Sequence, residues 1–243
     1  GHHAQLEHLR EDDGMITVFG STNLDQVGTV SRLPKPGETV AGGTFSMAPG
    51  GKGANQALAA RRAGAEVRHV SAVGDDAFAD LALDLLRSGG VNLSHLRKAE
   101  APTGIAMIFV DATGENVIAI LPGANGTVSA ADAEAGLGHL SPADTLLVQQ
   151  EVPQTATRRA LEIARERGAR SVLNTAPFLP DTARLAPLAD IVVANETEFS
   201  LLSGRPIDQL DAAMSDWVNQ TGRIIVVTLG SEGARARTPD GLI

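Results

Sequence analysis

The chain has 243 residues, 43% hydrophobic and 20% charged, which is enough for a large core and too apolar for a disordered polymer. Its 20 Lys and Arg against 29 Asp and Glu give a net charge of −9, and it has no Tyr, one Trp and six Phe, so neither nucleic acid nor a membrane surface is an expected partner. The absence of cysteine excludes disulfides, thiolate zinc sites and a cysteine nucleophile.

In chain order, residues 1–14 read as a tag or disordered N-terminus, because His2 and His3 look like the end of a purification tag. Short β-rich runs follow at Ile16–Phe19, Val67–Val73, Thr145–Val148, Ser171–Leu173, Ile191–Val193 and Ile224–Thr228. Helical segments with recognisable stops lie between them: Ala54–Ala63 before Gly64, Phe78–Arg87 before Gly89-Gly90, Thr155–Arg167 before Gly168, and Glu196–Leu202 before Gly204. This alternation predicts an α/β fold with a mostly parallel central sheet flanked by helices, occupying residues 15–243. Two segments, about 26–47 and 103–121, lack helices and read as strand and turn, forming a small β-sheet lid. Apolar runs such as Gly104–Val110 are too short to span a bilayer and no signal peptide is evident, so a cytoplasmic location is expected.

Parallel sheets bind ligands at the C-terminal ends of their strands. Here those ends are unusually polar: Ser21-Thr22-Asn23-Leu24-Asp25, Gln149-Gln150-Glu151, Asn174-Thr175, Asn195-Glu196-Thr197-Glu198 and Thr228-Leu229-Gly230-Ser231. Such amides and carboxylates suit a polyhydroxylated ligand. The segment Pro49-Gly50-Gly51-Lys52-Gly53-Ala54-Asn55-Gln56 opens a helix, whose N-terminal amides favour oxygen-rich groups. It is not a Walker loop, since Gly53 follows Lys52, and Gln56 stands where a dinucleotide fingerprint needs its third glycine. Asn195 and Glu198, three apart, either reach nucleotide phosphates and a hydrated metal or form a capping box; spacing does not decide between them. Thr228–Gly233 is either a nucleotide cradle or a plain turn. Asp75-Asp76 reads as capping, and His69 and His95 as structural.

Taken in order, these segments resemble the PfkB carbohydrate kinase family, in its ribokinase-like branch. The resemblance runs from about Ile16 to the end, and rests also on Pro36-Gly37-Glu38-Thr39, Gly114-Glu115-Asn116-Val117-Ile118 and Gly123-Ala124-Asn125. It implies ATP-dependent phosphorylation of D-ribose at O5. By position, Asn23, Asp25, Gly51, Lys52, Gly53, Asn55 and Glu151 would bind the sugar, with Lys52 also neutralising charge during transfer. Asn195, Thr228, Gly230, Ser231 and Gly233 would line the ATP site, and Glu198 would serve Mg²⁺ through water. The resemblance further implies activation by a monovalent cation such as K⁺ and a homodimer joined through the β lid.

The family pattern continues into an Asp-Thr-x-Gly-Ala-Gly-Asp-type segment whose last Asp is the general base, and residues 1–243 do not contain it. A chain ending at Ile243 is therefore expected to lack a C-terminal part and to turn over very slowly. The alternatives are another sugar or nucleoside kinase of the family, or a non-catalytic ribose- or nucleotide-binding protein. A nucleoside kinase needs an apolar or aromatic platform for its base, and the lid is poor in aromatics.

Overall fold

The computed structural model describes residues 14–243, so the expectation for residues 1–14 lies, apart from Gly14, outside the described residues. In chain order the elements are β1 (Ile16–Phe19), β2 (Asn23–Thr29), β3 (Thr44–Gly50), α1 (Lys52–Arg62), β4 (Val67–Gly74), α2 (Ala77–Gly89), β5 (Leu96–Ala99), β6 (Gly104–Val110) and β7 (Asn116–Leu121). They continue with α3 (Ala130–Leu137), β8 (Thr145–Val148), α4 (Gln154–Glu166), β9 (Arg170–Asn174), α5 (Thr182–Leu185), β10 (Ile191–Asn195), α6 (Glu196–Ser203), α7 (Leu210–Thr221), β11 (Ile224–Thr228), β12 (Ala234–Thr238) and β13 (Gly241–Leu242). This is the expected α/β fold, with a mostly parallel sheet, helices and a small four-stranded sheet.

The chain divides into two compact units. Among the described residues, one comprises residues 14–19, Ser129–Gln150 and Gln154–Ile243. Its strands run in the order β13-β12-β11-β10-β9-β8-β1. Neighbours from β1 to β11 are parallel, and β12 and β13 are added antiparallel at the edge. The strands alternate inward and outward: Leu146, Val148, Leu173, Val192, Ala194, Ile225 and Val227 are buried. Helix α4 buries Ala156, Ala160, Leu161 and Ala164, an i, i+4, i+5, i+8 stripe that matches the helical period.

The other unit comprises Gly20–Val128 and Glu151–Pro153. Strands β4 and β5 pair in parallel, and β4 is buried along nearly its whole length. Helix α2 starts where the Asp76 side chain accepts a hydrogen bond from Ala79 N and stops at left-handed Gly90. It buries Ala79, Ala82, Leu83 and Leu86, and Leu83→Ala would cost about 2–5 kcal/mol by opening a cavity. The four-stranded sheet has the order β3-β2-β6-β7, with β2 and β6 parallel and both outer pairs antiparallel. Its strands fall in or beside the two helix-free segments of the sequence. Among the described residues, no helix is long and apolar enough to cross a membrane.

Candidate active site

In the second unit the site is built on β2. Asn23 lies in register between Gly50 of β3 and Gly104 of β6, two neighbours without side chains, and is only 2% exposed. Asp25, two residues on, projects from the same face of the strand about 7 Å along it. Its carboxylate is half-buried and has no hydrogen bond or ion pair among the described residues. Burial, reinforced by the negative charge of Glu151, holds its pKa above the ordinary carboxylate value. A side chain at Gly50 would collide with this carboxylate, so the glycine there makes the room that Asp25 occupies.

Helix α1 begins beside this pair. Gly51 precedes it with φ of 91°, a conformation that favours glycine. The first three amides of the helix are satisfied within the protein. Lys52 N donates to Glu151 Oε1 at 2.7 Å, Gly53 N to Ser21 Oγ at 3.2 Å, and Ala54 N to Ser21 O at 2.9 Å. Ser21 Oγ itself donates to Glu151 Oε1 at 2.8 Å. A carboxylate and a serine thus cap the helix, and a Cβ on Gly53 would sit 2.5 Å from Ser21 N, so glycine is what allows the approach. Within the protein, Gly51 and Gly53 supply shape and backbone proximity, and Glu151 joins Ser21 to the start of α1. Lys52 and Asn55, three apart on α1, share a face, and Asn55 is exposed.

Beneath Asn23 lies a buried polar chain. Asn125 Oδ1 accepts from Thr22 N at 2.9 Å, and its Nδ2 donates to Thr22 O at 3.1 Å and to Asn23 Oδ1 at 2.7 Å. Thr22 Oγ1 lies 3.0 Å from His69 Nε2 and 2.8 Å from Ser71 Oγ. His69 is therefore structural, as the sequence suggested.

In the first unit, Asn195 closes β10 and opens α6. Its Oδ1 accepts from Glu198 N at 2.7 Å while Glu198 Oε1 accepts from Asn195 N at 2.9 Å, so the capping box is formed. Thr175 Oγ1 also donates to Glu198 Oε1, at 3.2 Å. The amide Nδ2 of Asn195 has no protein partner among the described residues. The β10–β11 register sets Thr228 directly beside Asn195, and both are exposed. Gly230, Ser231 and Gly233 follow in a tight turn closed by Leu229 N donating to Gly233 O at 2.7 Å, which leads into the antiparallel β12. Among the described residues no three His, Cys, Asp or Glu side chains cluster as a metal site.

The structure thus gathers Asn23, Asp25, Gly51, Lys52, Gly53, Asn55 and Glu151 in one unit, and Asn195, Glu198, Thr228, Gly230, Ser231 and Gly233 in the other. Two strand-end positions singled out for polarity are structural instead. Gln150 is 2% exposed, and its Nε2 donates to Thr175 O, Pro177 O and Thr182 Oγ1. Asn174 Oδ1 accepts from Ala176 N at 3.0 Å. Ser21 and Asn125 belong to segments the sequence does mark, and the structure gives both a hydrogen-bonding part in the sugar-side architecture.

The pfkB family carbohydrate kinase model matches residues 13–243. The chain is 36% identical over 230 residues to a deoxyribokinase of Salmonella typhimurium, covering 93% of this chain and 75% of that one. It is 39% identical over 224 residues to a ribokinase of Staphylococcus aureus, covering 90% and 73% respectively. Among solved structures, Arabidopsis thaliana ribokinase complexed with ribose and ATP superposes with a TM-score of 0.83 at 27% identity, covering 95% of this chain and 77% of that one. With the fold, the Gly-Gly-Lys-Gly helix start and the family match in agreement, this chain belongs to the pfkB family of carbohydrate kinases.

Proposed function

We propose that the chain belongs to a cytoplasmic ribokinase, which transfers the γ-phosphoryl group of ATP to O5 of D-ribose. The observation that carries this reading is Asp25, a half-buried carboxylate without a protein partner, standing beside Asn23 on β2. An unpaired buried carboxylate is unfavourable unless a ligand satisfies it, and vicinal hydroxyls do so at the spacing of alternate strand residues. Lys52 supplies a positive charge for the developing negative charge, and Asn55 shares its face of α1. Removal of the O5 proton is not assigned to any of the 243 residues.

Asn195, Thr228 and the Gly230–Gly233 turn bind the nucleotide in this reading. Mg²⁺ would supply charge neutralisation on the phosphates. Glu198 fits a water-mediated role toward it, because its Oε1 is engaged by Asn195 N and Thr175 Oγ1 and a hard cation takes its inner ligands from phosphate oxygens and water. K⁺ activation remains part of the proposal through family membership alone. The lid sheet would pair with a second copy of the chain. Phe45, Val117, Ile118, Ile120 and Leu121 are about half exposed or more on this sheet, an apolar surface of the kind that marks an interface.

A second reading, phosphorylation of 2-deoxyribose, is favoured by the 36% identity to a deoxyribokinase. Calorimetric titration with ribose, 2-deoxyribose, fructose and adenosine separates them. Ribose binding most tightly is the expected result, tightest binding of 2-deoxyribose would establish the second reading, and tightest binding of fructose or adenosine would overturn both.

A further inference from the structure

The polarity of Asn23 is fixed by a chain of hydrogen bonds that starts at a backbone amide. Thr22 N is a donor that cannot be reversed, and the atom of Asn125 that meets it at 2.9 Å must be the acceptor Oδ1. The other end of that amide is therefore Nδ2, a donor, which agrees with its 3.1 Å contact to the carbonyl oxygen of Thr22. Nδ2 also meets Asn23 at 2.7 Å, so the Asn23 atom there must be Oδ1. Two consecutive amide orientations follow from one main-chain N–H. What remains of the Asn23 side chain is its NH₂ group, which has no protein partner among the described residues although the residue is 2% exposed.

Packing keeps the pair in place. Asn125 is 1% exposed and follows left-handed Gly123 in a 3₁₀ turn, and a side chain on Gly104 would collide with both Asn125 Nδ2 and Asn23 Oδ1. Gly104 lies directly across from Asn23 in the β2–β6 register, so the strand pairing and the amide pair share one clearance.

We propose that Asn125 is a positioning residue for the sugar site: it holds Asn23 so that the substrate meets amide donors and never the carbonyl. The proposal rests on Asn23 being a sugar ligand. The β2 face then offers two donors from Asn23 and, from ionised Asp25, acceptors only. A hydroxyl that accepts from Asn23 and donates to Asp25 satisfies both, as does a pair of neighbouring hydroxyls. A ligand group that cannot accept, such as an ammonium, is rejected at Asn23, which makes the pocket selective for neutral polyols over amino sugars carrying the amine at that position.

The test is a double-mutant cycle read by calorimetry with ribose and, separately, with the ATP analogue AMP-PNP. Asn125→Asp keeps an acceptor for Thr22 N and removes the donor to Asn23, which frees the Asn23 amide to reverse. Ribose affinity is expected to fall about tenfold or more while AMP-PNP affinity stays within about twofold. The double variant with Asn23→Ala should bind ribose no more than about twofold worse than Asn23→Ala alone, because Asn125 acts through Asn23. Multiplicative losses, or wild-type ribose affinity in Asn125→Asp beside a weakened Asn23→Ala, overturn the proposal.

If Asn125→Asp does not fold, Asn23→Asp decides. Its carboxylate still accepts from Asn125 and has the same shape, yet it presents an acceptor to the sugar. Lost ribose binding at an unchanged melting temperature supports the proposal, and retained binding refutes it. Absence of ribose binding by the unaltered chain would instead refute the ribose reading itself, and the proposal with it.

Discussion

Asp25→Asn tests whether the carboxylate is held for a ligand at the expense of the fold. The substitution keeps the shape of the side chain and removes its charge. Ribose binding should weaken by about 10- to 150-fold, the equivalent of one charge-assisted hydrogen bond of about 1.5–3 kcal/mol. ATP binding should stay within about twofold, since Asp25 is proposed to meet the sugar and not the nucleotide. Stability should move the other way. Burial first, and the charge of Glu151 second, raise the folded-state pKa of Asp25 above its ordinary value of 3.8. A raised carboxylate means the native state binds the proton more tightly than the unfolded chain. Stability therefore falls as pH rises through the folded pKa, and the penalty is absent below 3.8. Asparagine carries no such penalty, so the variant should melt higher than the wild type at neutral pH, and the gap should close as pH falls toward 3.8. Ribose binding, which selects the ionised form, should release protons near the raised pKa, detectable by calorimetry in buffers of different ionisation enthalpy. A variant that binds ribose normally and melts lower at neutral pH would refute the reasoning.

Asn195→Asp separates the two roles of that residue: an aspartate still caps α6, but it replaces the Nδ2 donor by a charge that repels phosphate. ATP affinity should fall about tenfold or more at a nearly unchanged melting temperature, and unchanged affinity would leave Asn195 as a cap only. Asp76 is pushed up by burial, but hydrogen bonds from Thr103 Oγ1 at 2.6 Å, Thr103 N at 2.9 Å and Ala79 N at 3.0 Å outweigh it and hold its pKa below 3.8. Its stabilisation is thus present above 3.8 and lost as pH falls through the depressed folded value. Asp76→Ala should cost about 0.5–2 kcal/mol at neutral pH in a denaturant melt, with the difference shrinking in acid. Ile118→Glu on the exposed β7 should convert a dimer into a monomer by sedimentation velocity while leaving the melting temperature of the isolated chain nearly unchanged; a wild type that already sediments as a monomer would refute the lid interface.

The α/β alternation was legible because its signals are local. Inward-facing residues of β8, β10 and β11 recur with period two, and Gly90, Gly168 and Gly204 mark helix ends in the sequence and in space. Helices α3 and α7 carry weaker local signals. The first is Ala- and Gly-rich and is marked only by the Ser129–Asp132 capping box, and the second opens without a side-chain cap at Gln209. Helix α1 starts two residues before the expected Ala54 for a different reason. Lys52 and Gly53 become helical because Glu151, 99 residues away along the chain, accepts the Lys52 amide. No window around Gly51 contains that carboxylate. The same holds for Asn125, which reaches Asn23 across 102 residues of sequence.

A residue of a binding motif can serve the ligand, the fold or both, and the hydrogen-bond ledger of each atom decides which. Gln150 has its donors committed to Thr175, Pro177 and Thr182 and has nothing left to offer a substrate. Glu151 Oε1 is committed to Ser21 and Lys52, yet its charge still reaches Asp25 and raises its pKa. Asn195 gives Oδ1 to α6 and retains Nδ2, and Asn23 gives Oδ1 to Asn125 and retains Nδ2. In both asparagines the fold takes the acceptor and leaves the donors. Donors are what a phosphate oxygen requires and what a sugar hydroxyl can accept. Asp25 has no acceptor committed among the described residues, and a site with donors at Asn23 and acceptors at Asp25 matches a hydroxyl, which does both. That division also predicts which substitutions separate binding from folding: changes at the retained atom of an asparagine leave the fold intact, whereas changes at the committed atom unsettle both.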